Sequence, residues 1–154
     1  MKLNLLCVGR LGQAFEAKLA TDYALRATSE GRRSNLGPVE IVEILPRKPG
    51  KAAENEALLD AARNARLIAC DRSGAMLSSR DFATLLGRLR DDGVRRLAFL
   101  VGGADGLESQ VLSAAFHRMS FGPQTWPHAL ARVMLAEQIY RAATILAGGP
   151  YHRE

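Results

Sequence analysis

Cysteine, aromatic residues and long apolar runs are all scarce in this chain of 154 residues. It holds two cysteines, and its three histidines lie at no spacing that zinc ligands use, so neither a disulfide framework nor a metal site is expected. No stretch approaches the roughly 18 uninterrupted apolar residues of a membrane span, and the apolar run from Leu3 to Val8 is too short for a secretory signal. These absences predict a cytoplasmic protein that binds neither metal nor membrane.

The composition is otherwise that of an ordinary globular domain. Apolar residues make up 47% of the chain and charged residues 24%, values that exclude intrinsic disorder and a fibrous protein. A chain of this length buries roughly 68–70% of its extended surface on folding. We therefore expect one domain over residues 1–154 that needs no disulfide.

Lysine is scarce as well, because 17 of the 21 basic residues are arginine. The 16 acidic residues leave a formal net charge of +5, and guanidinium groups suit both phosphate binding and stacking on bases. The composition favours RNA as a partner without establishing it. The densest cationic segments, both predicted to be loops, are Arg26 with Arg32 and Arg33, and Arg47 with Lys48 and Lys51.

Short apolar runs alternate with longer helical patterns along the chain. This alternation predicts an α/β domain with a mostly parallel sheet and helices on both faces. The predicted strands are residues 2–8, 39–45, 66–71, 97–101 and 118–121. The predicted helices are residues 12–30, 52–64, 80–92, 108–115 and 127–147, with Pro127 expected at the first helical position of the last one.

The last predicted helix carries His128 and Arg132 on its apolar side. A charged residue on such a face must have a partner, so Arg132 either caps a loop carbonyl or acts in a functional site. The rest of the helix is apolar on nearly all sides. This indicates burial against its own sheet and against a second subunit.

The glycine-rich loop after the first strand is a weak candidate for a dinucleotide site. Gly9 and Gly12 match part of the fingerprint, but Cys7 stands where its first glycine should be. The second strand also ends at Leu45 without the acidic residue that holds a ribose. These glycines are better explained by a tight turn.

The glycine-rich loop after the fourth strand is a better candidate, because Gly102, Gly103 and Gly106 follow a buried strand directly. Ligands of parallel sheets lie outside the carboxyl ends of the strands. Two neighbouring strand ends, residues 70–74 and 122–127, have a similar character and are placed to line the same pocket. The alternative is that these glycines only form turns.

Six motifs then occur in order along the chain. They are Cys70-Asp71-x-x-Gly74, Ser78-Ser79-x-x-Phe82-Ala83, Phe99-x-Val101-Gly102-Gly103-x-x-Gly106, Pro127-His128-x-Leu130-x-Arg132, Glu137-Gln138-x-Tyr140-Arg141-Ala142 and Pro150-Tyr151-His152-Arg153-Glu154. Together they closely resemble the RlmH family, the small SPOUT-class methyltransferases that act on large-subunit ribosomal RNA. The terminal motif is highly specific for that family.

The resemblance implies a C-terminal trefoil knot, a homodimer, and S-adenosylmethionine bound in the knot by loop backbone. It also implies methylation at N3 of a pseudouridine in large-subunit (23S) ribosomal RNA, on assembled ribosomes. The family's cofactor loops fall on Cys70, Gly102, Gly103, Gly122, Pro123, Gln124, Thr125, Trp126 and Pro127. A non-catalytic ribosome-binding or assembly protein of the same fold is the alternative, and a dinucleotide oxidoreductase comes third.

The chemistry of N3 methylation adds candidate catalytic residues. A pyrimidine N3 carries a proton that must leave as the nitrogen attacks, so a base or a cation is expected beside it. The candidates, in no order of preference, are His128, Arg132, Arg141 and His152.

The last residues of the chain are candidates for substrate binding. Tyr151, His152 and Arg153 follow a glycine-proline helix stop, and a tail of this kind normally frays. A ring, an imidazole and a guanidinium in a row nevertheless suit stacking on an unpaired base and contact with phosphate. The resemblance favours substrate binding, in a site that both protomers build.

Overall fold

The computed structural model describes residues 1–152, in which five parallel strands form one sheet in the order β2-β1-β4-β3-β5. The strands are β1 (Lys2–Val8), β2 (Val39–Ile44), β3 (Arg66–Met76), β4 (Arg96–Val101) and β5 (His117–Ser120). The helices are α1 (Phe15–Gly31), α2 (Lys51–Ala61), α3 (Ser79–Asp91), α4 (Ser109–Ala114) and α5 (His128–Leu146), with a 3-10 turn at Arg32–Ser34. The predicted α/β class and the parallel sheet are confirmed.

The sheet buries a hydrophobic cluster on each face, because successive side chains of a strand point to opposite sides. In β1, Leu3, Leu5 and Cys7 pack in a cluster with α1, α3 and α5, whereas Leu6 and Val8 pack in a second cluster with α2 and α4. Helices therefore cover both faces, as the sequence pattern predicts. The C-terminal knot that the resemblance implies is consistent with this arrangement.

Strand β3 extends further than the sequence pattern predicts, since it ends at Met76 and not at residue 71. Its first part pairs with β5 up to Cys70, and after an irregularity Ala75 and Met76 pair with β5 again. A Cβ on Gly74 would lie 2.6 Å from the backbone nitrogen of Met119, so only glycine fits this approach. The predicted loop after residue 71 is thus a bulge within the strand.

Three helices begin later than predicted, and for α4 the difference is one residue, since it begins at Ser109. Helix α1 begins at Phe15, since residues 9–14 form a loop in which Gly9 and Gly12 have positive φ angles of 87° and 58°. Pro127 was expected inside the last helix, but its ψ of 137° makes it the N-cap, and α5 begins at His128. The fixed φ of proline suits both positions, and ψ decides between them.

Candidate active site

A cleft of about 810 Å³ lies at the carboxyl edge of the sheet, within the size range of small-molecule sites. Connections after the neighbouring strands β4, β3 and β5 line it, together with Lys51 of α2 and with His128 and Ala131 of α5. The predicted cofactor-binding residues that line the cleft are Cys70, Gly102, Gly103, Gly122, Gln124, Thr125, Trp126 and Pro127. Pro123 belongs to the same loop as the last five but is not among the lining residues. The three predicted segments therefore line one cleft, and the segment from β3 does so as a bulge within the strand and not as a loop after it.

The glycine loop after β4 is folded tightly on itself. The Gly106 N–H donates to the carbonyl of Gly103 at 3.1 Å, and Gly106 has a φ of 71°. A Cβ on Gly102 would lie 2.9 Å from the carbonyl carbon of Gly106. Backbone thus packs against backbone, and Gly102 cannot carry a side chain without moving the loop.

Helix α2 anchors this loop through Asn55, which the sequence analysis did not single out. Asn55 is buried, and its side-chain oxygen accepts a hydrogen bond from the Glu108 N–H at 2.8 Å. Its Nδ2 donates to the carbonyls of Lys51 at 2.8 Å and Gly106 at 3.4 Å. One buried amide thereby fastens the end of the glycine loop to α2, and because Asn55 stands between Glu54 and Glu56 no pattern in the sequence marks it.

Gly103 faces α2 on its other side. A Cβ there would lie 2.7 Å from Oε2 of Glu54 and 3.2 Å from Cγ1 of Val8. That carboxylate oxygen is buried and has no hydrogen-bond partner among the described residues. A small side chain at Gly103 meets the movable end of Glu54, whereas one at Gly102 meets backbone.

We therefore expect Gly102→Ala to weaken binding of the cofactor at this loop by about tenfold or more, a free-energy change of about 1.4 kcal/mol. Gly103→Ala, the matched control, should change it much less because Glu54 can turn away. Calorimetric titration with S-adenosylmethionine, together with thermal melting of both variants, measures the difference. Equal effects of the two substitutions would contradict this account of the loop.

The loop between β5 and α5 is stabilised by short-range hydrogen bonds. The Ser120 hydroxyl accepts from the Gly122 N–H at 3.1 Å and donates to the Gly122 carbonyl at 2.9 Å. Nε1 of Trp126 donates to the carbonyl of Phe121 at 3.4 Å. His128 begins α5 directly after this loop and is the candidate catalytic residue that the structure brings to the cleft.

Arg132 lies one turn further along α5 and is 1% exposed. Its Nη2 donates to the carbonyls of Val8 at 2.5 Å and Gly9 at 2.7 Å, and its Nη1 pairs with Glu43 at 3.2 Å. Glu43 also accepts from the Leu11 N–H at 2.7 Å. Of the two roles that the sequence left open, the structure shows the cap: Arg132 ties the loop after β1 to α5.

The two cysteines lie beside these elements, Cys7 buried and Cys70 half-buried. Burial raises the pKa of Cys7 to about 12, and the nearby Arg132 opposes this only in part. Burial likewise raises the pKa of Cys70, which lines the cleft. Both side chains are therefore neutral at physiological pH, and Cys70 adds no charge to the cleft.

The tail packs against the second half of α5. The Tyr151 ring lies 4.5 Å from the ring of Tyr140 and 4.8 Å from the guanidinium of Arg141, measured between centres. Glu137 accepts from the Tyr151 hydroxyl at 3.2 Å and from Nε of Arg141 at 3.0 Å. Burial and the hydrogen bond with Tyr23 raise the pKa of Tyr151 to about 12. The expectation that the tail frays is wrong for Tyr151.

The tail and the cleft lie far apart within one chain. Arg141 follows His128 by 13 residues on α5, which corresponds to roughly 20 Å along a helix. His152 is half-buried near Tyr151, and its Nδ1 has no hydrogen-bond partner in the part of the chain that the structure describes. Arg153 lies outside the described residues. A single chain therefore brings His128 to the cleft but not Arg141, Tyr151 or His152.

Residues 1–152 show neither a metal site nor a membrane-spanning helix. They contain no group of three His, Cys, Asp or Glu side chains placed to hold a metal ion. None of the helices described has both the length and the hydropathy needed to cross a membrane.

Comparison with known proteins gives a consistent result. A family model described as "Predicted SPOUT methyltransferase" matches residues 1–152. Proteins named "Ribosomal RNA large subunit methyltransferase H" are 63% identical in Caulobacter sp. (strain K31), over the full length of both chains, and 48% identical in Methylocella silvestris, also over the full length of both. A solved structure of a probable methylase family protein from Haemophilus influenzae shares the fold, with a TM-score of 0.55 and 11% identity over 93% of this chain and 65% of that one. With a match of this extent and relatives of this similarity, the chain belongs to the SPOUT methyltransferases and, within them, to the RlmH family.

Proposed function

We propose that this chain transfers a methyl group from S-adenosylmethionine to N3 of a pseudouridine in large-subunit ribosomal RNA, on assembled ribosomes. The observation that carries the proposal is the convergence of three loops, all from the family's cofactor motifs, on one cleft of about 810 Å³. The RNA substrate in this proposal is inferred from the names of the relatives. The cleft supplies a place where a nucleoside-sized donor fits.

The residues around the cleft suit this cofactor. Much of the lining is loop backbone, which offers N–H and C=O groups to an adenine ring and a ribose. Asp71 and Asp105 also line the cleft, and their carboxylates complement the positive charge of a sulfonium and an ammonium group. When bound, S-adenosylmethionine supplies a methyl group that its charged sulfur has already activated.

The chain then chiefly has to hold the RNA nucleotide in line with that methyl group. Positioning of this kind is worth roughly 7–11 kcal/mol in well-oriented systems. The N3 proton must also leave, and the imidazole of His128 stands at the cleft to accept it. Arg132 does not share this role, because its side chain is buried and both of its Nη groups are already bound, to carbonyls and to Glu43. We therefore place the proton transfer at His128.

A homodimer is the arrangement that gives the tail a part in the reaction. Arg141, Tyr151 and His152 do not line the cleft of their own chain. Apolar side chains are exposed along the neighbouring helices α1 and α5, with Phe15 86% and Leu130 39% accessible. We propose that these faces meet in the dimer and bring the tail of one protomer to the cleft of its partner.

The loop that an oxidoreductase would use to bind a dinucleotide is poorly placed for that role. The loop with Gly9 and Gly12 does not line the cleft. Its first carbonyls are bound by Arg132, and the Leu11 N–H is bound by Glu43. A dinucleotide phosphate needs backbone N–H donors, and the Leu11 N–H is one donor of this loop that is already in use.

Calorimetry and a transfer assay test the proposal together. We expect micromolar binding of S-adenosylmethionine, no binding of NAD, and transfer of labelled methyl groups to ribosomes that lack the modification. His128→Gln should keep the cofactor affinity and lower turnover by about 100-fold or more, the usual loss when a general base is removed. If neither cofactor binds, the chain is a ribosome-binding or assembly protein of the same fold.

A further inference from the structure

The structure separates the two cationic segments of the sequence. In a parallel sheet all carboxyl ends of the strands lie at one edge. Arg32 and Arg33 lie between α1 and the start of β2, which is the amino edge. Arg47 and Lys48 lie between the end of β2 and α2, on the carboxyl edge that holds the cleft. The two segments are alike in sequence but face opposite ends of the sheet.

The last cation of the second segment, Lys51, and one further cation, Arg10, lie at the same carboxyl edge. Lys51 is the first residue of α2 and lines the cleft, and Arg10 follows β1, the neighbour of β2 in the sheet. Arg10, Arg47 and Lys48 are exposed, and Lys51 is half-buried. Their side chains share one rim, which consists of Arg10, Arg47, Lys48 and Lys51 and is called here the cationic rim.

These four side chains have no protein partner among residues 1–152, in contrast to many cations elsewhere. Arg63 pairs with Asp60, Arg90 with Asp91, and Arg96 donates to two carbonyls and Asn4. A cation without a partner keeps its full charge available to a ligand. The rim therefore offers four charges that the fold itself does not use.

The acidic residues of the same edge leave the rim uncompensated. Glu43 is bound by Arg132 and by the Leu11 N–H, and the buried oxygen of Glu54 faces Gly103. Asp71 lies at the bulge of β3 and Asp105 follows β4, on the side of the cleft away from β2. Two carboxylates, Asp71 and Asp105, and two cations, Lys51 and Arg72, line the cleft, whereas Arg10, Arg47 and Lys48 beside it are all positive.

We propose that the cationic rim binds the phosphate backbone of the RNA next to its target nucleotide. This inference rests on the proposed function, since it assigns the surface that receives that substrate. Arg10 follows β1 and Arg47 follows the neighbouring strand β2, and adjacent strands lie about 4.8 Å apart. The rim is therefore placed to contact phosphates beside the target nucleotide while the target base reaches the cleft.

A pair of double variants tests the rim with a matched control. Arg47→Gln with Lys48→Gln removes two charges from the carboxyl edge, and Arg32→Gln with Arg33→Gln removes two from the amino edge. All four residues lie outside the lining of the cleft, so both double variants should bind S-adenosylmethionine like the wild type. The affinity for purified ribosomes is then measured over a range of salt concentrations.

We expect the rim variant to bind ribosomes about tenfold more weakly at physiological salt. Its slope of log K against log salt concentration should be shallower by about one to two, because each lost phosphate contact removes close to one released counterion. The control variant should stay near the wild type in both quantities. Equal losses in both variants, or no loss in the rim variant, would overturn the proposal.

The same experiment separates this inference from the proposed function. Ribosome binding by the wild type without methyl transfer would refute the enzyme but leave the rim supported by the variant comparison. Methyl transfer by the wild type with no difference between the variants would support the enzyme and refute the rim. Wild-type chain that does not bind ribosomes at all would refute both.

Discussion

Arg132→Met is expected to lower both the melting temperature and the turnover of this protein. The guanidinium is 1% exposed and donates to the carbonyls of Val8 and Gly9 as well as to Glu43. Methionine keeps much of the volume but leaves two carbonyls without a donor and a carboxylate without its counter-charge. Removing one partner of a buried ion pair lowers the free energy of unfolding by about 3–5 kcal/mol. Because Glu43 is partly exposed, we expect a value at the lower end of that range.

The loss should appear as a fall in melting temperature of roughly 6–12 °C for a domain of this size. Turnover should fall with it, because Arg132 joins the loop after β1 to the turn of α5 that carries His128. Arg63→Met is the matched control, since that side chain is exposed and its pair with Asp60 is worth less than about 1 kcal/mol. Arg132→Lys should fall between the two because it keeps the charge and one donor.

Thermal melting and the methyl-transfer assay together decide the role of Arg132. A large loss of turnover at an unchanged melting temperature would contradict the capping role. It would return Arg132 to the candidate catalytic residues and require that its guanidinium reach the RNA.

Removal of the tail after Pro150 is expected to abolish methyl transfer while leaving a folded protein that binds the cofactor. Tyr151 contributes a ring contact with Tyr140 and a hydrogen bond to Glu137, so its loss should cost about 1–2 kcal/mol. The cleft is lined by other elements, and S-adenosylmethionine should bind within about tenfold of the wild type. Tyr151→Phe keeps the ring and loses the hydroxyl, and it serves as the control for the effect of the lost hydrogen bond on stability.

A mixing experiment shows whether the tail acts on the cleft of its partner. The truncated chain retains His128, and a full-length His128→Gln chain retains the tail. If the two parts come from different protomers, a mixed dimer contains one complete site and regains activity that neither variant has alone. Normal methylation by the truncated chain would refute the role of the tail and leave the chemistry to His128.

Much of the fold follows from local patterns along the chain. Strand β1 has the predicted bounds, and the other four strands start within one residue of prediction, because short apolar runs flanked by turn residues mark buried parallel strands. The position of the cleft could be predicted for a related reason. A parallel sheet gathers the carboxyl ends of its strands at one edge, so glycine turns after neighbouring strands must meet there.

Contacts between distant residues could not be predicted in this way. Arg132 had two possible roles in the sequence, and its partners Val8 and Gly9 lie more than 120 positions away along the chain. Asn55 gave no signal of its own, since its role depends on where α2 packs against the turn at Gly106. The extension of β3 to Met76 depends on its pairing with β5, and the sequence of β3 alone does not predict that pairing.

The sequence by itself thus determined the helices and strands, the parallel sheet with helices on both faces, the family and most of the residues that line the cleft. It could do so because periodicity and glycine placement are properties of neighbouring residues. Only the tertiary structure decided which charges are used and where they face. In the folded chain Arg132 donates to carbonyls, and Tyr151 packs against α5 away from the cleft of its own chain. The two similar cationic segments lie at opposite edges of the sheet. These outcomes depend on how elements that are remote in sequence pack together, and no local sequence pattern predicts that packing.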